Sequence, residues 1–249
     1  MDTSALLAGF WGLVAGSALL IGAVVGYFFK LPKRVSASIM AFGAGVLISA
    51  LAFGLMDEAY GRGGFEPVTL GFLGGAVAYT LATWMLNRHG GRHRKRSANQ
   101  PSEKQQSGSG MAIAVGALLD GIPESIVLGL SLVAGAHVSV VLLCAIFISN
   151  FPEGLSSALG MRLAGRTKRY VFGVWGGITL VSGISAWLGY AIFASAAPGS
   201  IALIEAIAAG AILAMIADTM IPEAFQEEHE LVGLVTVLGF LAAFMLDHL

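Results

Sequence analysis

The chain has 249 residues, 56% hydrophobic and 12% charged, with 34 glycines and one cysteine. Its mean hydropathy of +0.80 excludes a soluble domain and marks a polytopic membrane protein. A net charge of −1 implies no nucleic-acid partner, and the lone Cys144 excludes an internal disulfide or a Cys-rich metal centre.

Apolar runs long enough to cross a bilayer occur at 5–29, 35–56, 67–87, 111–133, 138–161, 170–195, 199–221 and 231–247. They predict an all-α protein of eight transmembrane helices in a single domain, 1–249. Met1-Asp2-Thr3-Ser4 lacks a basic n-region, and the first apolar run exceeds a signal-peptide core, so that run reads as a retained helix. Connections are short except for 88–110. This loop opens with a basic run, Arg88 to Arg96, and continues as a Ser/Gln/Gly-rich tract, the composition of a flexible linker. His89 and His93 raise a metal-sensing role for it, against a plain topology signal with lipid contact.

Thirteen of the fourteen Lys and Arg residues follow the first, third and fifth spans; Arg62 alone lies opposite. The positive-inside rule makes the basic side cytoplasmic and places both termini outside a cell membrane, the inner membrane if the source is bacterial. The chain also repeats itself. Ala44–Ala59 aligns without a gap onto Ala209–Ala224 with five identities in sixteen. Leu70-Gly71-Phe72-Leu73 matches Leu238-Gly239-Phe240-Leu241, and Trp11-Gly12 and Gly26-Tyr27 match Trp175-Gly176 and Gly189-Tyr190. Spans one to three therefore resemble six to eight in opposite orientation, a 3+2+3 inverted repeat of the kind that frames a midplane site in secondary transporters.

The unrepeated fourth and fifth spans carry the charge. Asp120-Gly121-Ile122-Pro123-Glu124 lies inside one and Ser149-Asn150-Phe151-Pro152-Glu153 inside the other. A charged side chain at a helix centre costs about 2.5–3.5 kcal/mol on insertion scales and marks an ion or substrate pathway. Asp120 and Glu124 share a helix face at i,i+4, as do Ser149 and Glu153, with Asn150 at i,i+3 from Glu153. Pro123 and Pro152 cannot donate to the carbonyls of Leu119 and Ile148, so each helix gains a free carbonyl oxygen at that depth. Neither segment contains Lys or Arg, and a bound cation is the simplest partner for the carboxylates. Asp218, followed by Pro222-Glu223, adds a carboxylate inside the seventh run and reads as lining the same route. Asp57 and Glu58 end the second run outside, either as a cation-gathering mouth or as an ordinary solvated helix end. Glu205 reads as snorkelling, and Glu227-Glu228-His229-Glu230 as a solvated acidic turn.

With these residues the chain resembles the ZIP family of divalent metal transporters over nearly its whole length. Asn150-Phe151-Pro152-Glu153-Gly154 matches the family's motif in the fifth helix, whereas Asp120 to Ser125 matches the fourth-helix motif at Pro123 and Glu124 only. The resemblance implies zinc, iron or a related divalent cation carried into the cytosol by a homodimer, with helices one, four, five and six moving the metal past the rest. It implies a metal site of Asp120, Glu124, Ser149 and Glu153, with Asn150 at its edge. The family usually has His where Asp120 stands, often Asn at Gly121, and His or Gln at Ser149. It often has a carboxylate in helix six, where only Ser182 and Ser185 offer polar atoms here. An all-oxygen site is harder than a zinc cage and admits manganese, iron or cadmium.

No nucleotide-binding G-x-x-x-x-G-K-[ST] loop is present, so gradients must drive any transport. No prosthetic cofactor is implied beyond the transported cation; the other partners implied are lipid and a second copy of the chain. The rival readings are a cation channel or a metal-sensing membrane protein using the same carboxylates. An intramembrane metalloenzyme is disfavoured because no two histidines share a helix as H-E-x-x-H requires.

Overall fold

The structure is a computed structural model that describes residues 3–29, 31–88, 94–96, 100–102, 104–135, 138–227 and 230–248. All regular structure among these residues is helical: α1 (Thr3–Phe28), α2 (Lys33–Ser49), α3 (Met56–Gly63), α4 (Phe65–Asn87), α5 (Ser109–Gly135), α6 (Val140–Leu163), α7 (Lys168–Phe193), α8 (Pro198–Met215), α9 (Ile221–Glu227) and α10 (Val232–Asp247). Two π-helical turns, Ala50–Leu55 and Ile216–Met220, join α2 to α3 and α8 to α9. Seven continuous helices are long and apolar enough to cross a membrane, and α10, at 16 residues, is shorter. The second span runs on to Gly63, past the end predicted at 56, so Asp57 and Glu58 lie within a helix. The seventh runs on to Gln226 and takes Asp218 and Glu223 with it.

The distribution of side chains is that of a multi-pass membrane protein. On α4 the outward residues are Leu70, Leu73, Val77, Leu81, Trp84 and Met85, all more than half exposed. The inward stripe is Val68, Gly71, Gly75, Tyr79 and Thr83. Such an apolar shell far exceeds any patch a water-soluble monomer exposes, whereas lipid tails accept it. The small inward residues let backbones approach, because packing rather than hydrophobicity drives association between membrane helices.

Four interfaces show this by reciprocal glycine contacts. A Cβ on Gly22 of α1 would strike the Phe151 carbonyl of α6, and one on Gly154 of α6 would strike the Leu19 carbonyl of α1. Gly189 of α7 and Gly129 of α5 meet the Ile126 and Ala186 carbonyls in the same way. Gly45 of α2 pairs with Gly239 of α10, and Gly210 of α8 with Gly75 of α4. Helices α1 and α7 also pack closely, so α6, α1, α7 and α5 form one continuous bundle. The helices continue through Pro123 and Pro152.

Composition predicts that 88–110 is a flexible linker. Its described residues instead dock into the helices: Arg94, Lys95 and Gln100 are buried. Gln100 Nε2 donates to the Arg96 carbonyl at 2.9 Å and to the Ser157 carbonyl of α6 at 3.2 Å. Arg166 holds the segment's other end, donating from Nη1 to the Pro101 carbonyl (3.2 Å) and from Nη2 to Ser109 Oγ (2.9 Å). The physical reason is the buried charge on α5 and α6, which needs a counter-charge that the spans themselves do not contain. His89, His93, Glu228 and His229 lie outside the described residues.

Candidate functional site

Asp120 and Glu124 project from α5 and Glu153 from α6, and all three are at most 4% exposed. The i,i+4 and proline-flanked spacing thus does bring the two helices' carboxylates to one buried place. The cation expected there is supplied by the chain. Arg94 donates from Nε to Asp120 Oδ2 at 2.8 Å and from Nη2 to Asp120 Oδ1 at 3.2 Å, a two-toothed grip. Tyr79 Oη donates to Asp120 Oδ1 at 2.6 Å while accepting from Arg94 Nη2 at 2.6 Å. The α4 stripe of Gly71, Gly75 and Thr83 at four-residue spacing is what points Tyr79 inward. Lys95 Nζ donates to Glu153 Oε1 at 2.5 Å and lies 3.4 Å from Asp120 Oδ2. Burial opposes the charge on Arg94, but Asp120 more than offsets it, so the pKa of Arg94 stands above the ordinary arginine value.

Glu124 is treated differently. Its Oε1 is buried with no hydrogen-bond partner. Glu153 and Asp120 repel its carboxylate, and Lys95 attracts it. Three buried carboxylates therefore share two cations, and the one left over is Glu124. An unpartnered buried carboxylate oxygen costs about 1–3 kcal/mol or more, so this corner of the site holds an unanswered acceptor.

The remaining predicted residues fall into two groups. Ser149 and Asn150 are buried beside Glu153, but their donors are used locally: Ser149 Oγ to the Ile146 carbonyl (3.0 Å) and Asn150 Nδ2 to the Ala15 carbonyl of α1 (3.1 Å). Asp218 is exposed in the π-helical turn after α8. It lines a cavity of about 340 Å³ with Trp84, Asn87 and Arg94 and another of about 110 Å³ with Lys95, Arg96 and Glu223. Asp218 thus faces the basic segment from a vestibule rather than joining the carboxylates. Arg96 Nε lies 4.0 Å from Glu223 Oε2 at the same vestibule. Among the described residues, no three His, Cys, Asp or Glu side chains are gathered as a metal cage.

Tyr79, Arg94 and Lys95 are the partners of the carboxylates that the sequence reading missed. Their signal was present: the basic run of the loop, and one aromatic in the small-residue stripe of α4. Gly116 and Gly160 complete the seat. A Cβ on Gly116 would strike Arg94 Cδ, and one on Gly160 would strike the Arg96 carbonyl and Gln100. No protein-family model matches the chain, and no curated protein matches it in sequence.

Proposed function

We propose that this chain is a secondary transporter of divalent metal cations, similar to the ZIP family, that carries its ion into the cytoplasm past Glu124 and Glu153. The observation that carries the reading is the buried, unpartnered oxygen of Glu124 beside Glu153 in the middle of two proline-containing spans. A site that takes up and releases a cation needs such an oxygen, and here it lies beside a second carboxylate whose counter-charge is carried by a loop. The counter-charges now present come from a loop rather than from the spans, so they can leave without breaking a helix. Asp120 is fully engaged by Arg94 and Tyr79, which leaves Glu124, Glu153 and the neighbouring Asn150 and Ser149 oxygens as donors. That set is all oxygen and admits harder ions such as manganese alongside zinc.

Two features support a 3+2+3 inverted repeat. The π-helical turns at Ala50–Leu55 and Ile216–Met220 fall at matching places of the aligned stretches Ala44–Ala59 and Ala209–Ala224. The reciprocal glycine pairs also come in two matching sets, α1–α6 with α7–α5 and α2–α10 with α8–α4. Positive-inside charge gives external termini and inward transport, and a membrane potential of about 100 mV favours a divalent cation's passage by roughly 4.6 kcal/mol. The family resemblance makes the working unit a homodimer.

The test is uptake of zinc and manganese into proteoliposomes. Glu124→Gln and Glu153→Gln each keep the side-chain shape and remove the charge, and each should cut saturable uptake at least about a hundredfold while the protein remains folded. Undiminished uptake by Glu124→Gln would overturn the assignment, and flux that never saturates would make the protein a channel.

A further inference from the structure

The basic segment is built into the site with more care than neutralising two carboxylates requires. Arg94 and Lys95 are neighbours in sequence but are held differently. Arg94 hydrogen-bonds both Asp120 and Tyr79, and its side chain lies against Gly116. Lys95 hydrogen-bonds Glu153, whose carboxylate acts on the unsatisfied Glu124, and lies 3.4 Å from Asp120 Oδ2. Its four-carbon stem can carry the ammonium several ångströms away with no backbone movement, and on its outer side lies the cavity it shares with Asp218 and Glu223. The geometry is an anchor followed by a tethered cation.

We propose that Lys95 is the resting counter-cation of the transport cycle. Its ammonium holds Glu153 when no metal is bound, and the arriving divalent cation displaces it toward Asp218 and Glu223 while Arg94 keeps Asp120. This rests on the transport function proposed above. Two consequences follow from the charges. With metal absent, Glu124 and Glu153 would otherwise be two buried carboxylates without a cation, a state too costly to carry through a bilayer. Lys95 lets the empty carrier return. With metal arriving, Lys95 competes for Glu153 and weakens apparent affinity, because only the fraction of molecules with Lys95 displaced can bind.

Lys95→Ala separates this role from others. Two modes are measured in proteoliposomes with radioactive zinc or manganese: net uptake into empty vesicles, which needs return of the empty carrier, and exchange against the same unlabelled metal inside, which does not. The expected result is that net uptake falls at least about tenfold, exchange persists, and the dissociation constant for the metal tightens about tenfold. Lys95→Arg keeps the charge and should restore net uptake. It also guards against loss of folding, since a merely structural lysine would impair both modes together. Equal loss in both modes, equal gain in both (a simple plug), or no change in either overturns the proposal. Wild-type protein that moves metal in neither mode overturns the transport function itself, whereas wild-type exchange with an unsplit Lys95→Ala result overturns the role of Lys95 alone.

Discussion

Two of the places in which the molecule buries carboxylates neutralise them by different means. In the bundle, Asp120 and Glu153 take their counter-charges from Arg94 and Lys95, which lie on a loop. Nearer the outer end predicted for α8, Glu205 takes its counter-charge from Arg62, which lies on helix α3 and also pairs with Glu58 one turn earlier at 2.7 Å. Each place leaves one carboxylate oxygen unpartnered, Glu124 Oε1 in the first and Glu205 Oε2 in the second. The helix-borne pair is held by the packing of α3 on α8 and moves only if those helices do. The loop-borne pair is held mainly by the charges themselves. The two places thus differ in the element that carries the base, a loop in one and a helix in the other.

The sharpest break between the two places should appear on removing Asp120. Asp120→Asn leaves Arg94 and Lys95 buried with only Glu153 and Glu124 to answer their charge, and sets an amide NH2 in place of one of the two oxygens that Arg94 grips. Breaking a buried pair in this way costs about 3–5 kcal/mol. Thermal unfolding in detergent should register it as the largest loss of any single substitution at the site. The same substitution should free the 94–102 segment, read as faster proteolysis within the loop. A stable, protease-resistant Asp120→Asn protein would show that Arg94 is seated by packing alone.

Gly160→Ala tests the seat without touching a charge. The added methyl would meet the Arg96 carbonyl and Gln100, so the segment must shift or be expelled. Overpacking of this kind costs about 1–3 kcal/mol, and here the strain should be relieved by the loop rather than by α6. The checks are loop proteolysis and metal affinity: expulsion takes Lys95 from Glu153, so the segment becomes accessible and zinc or manganese binds more tightly. Gly173→Ala, on a helix face with open space, serves as the neutral partner. Equal behaviour of the two alanines would show that the segment has no tight seat at Gly160.

Much of this was legible in the sequence, for physical reasons that differ by element. The spans follow from hydropathy, and the shared face of Asp120 and Glu124 follows from helical spacing; that Glu153 joins them depends on how α5 and α6 pack, which spacing leaves open. The loop was misread because its Ser, Gln and Gly content is that of a linker; composition reports local stiffness and is blind to a long-range counter-charge. Glu205 was misread as snorkelling for the same reason, its partner Arg62 being 143 residues away. The tetrapeptide match read from the sequence does not coincide with the glycine contacts. Matching tetrapeptides set Gly239 against Gly71, whereas Gly239 meets Gly45 as Gly75 meets Gly210, one turn further along α4. Leu-Gly-Phe-Leu is a common string in membrane helices, and only the backbone approach identifies which glycine has the partner.

The smallest effect should come from the outer pair. Glu205→Gln removes one charge-assisted hydrogen bond from Arg62, a loss of about 1.5–3 kcal/mol taken alone. Two things offset it. Arg62 keeps Glu58, and its own side chain is 23% exposed, so water can answer the vacated nitrogen. The substitution also removes a buried charge whose second oxygen has no partner and replaces that oxygen with a neutral amide. The net cost should be about 1 kcal/mol or less, with net uptake and exchange of metal unaltered, because neither the charge at Glu124 nor the tether at Lys95 is disturbed. Thermal unfolding beside Asp120→Asn, and the two transport modes beside Lys95→Ala, measure both statements. If Glu205→Gln destabilised the protein as much as Asp120→Asn, the helix-borne pair would be as dependent on its charges as the loop-borne one. If it slowed metal exchange, Glu205 would belong to the transport route, and the division between the two places would fall.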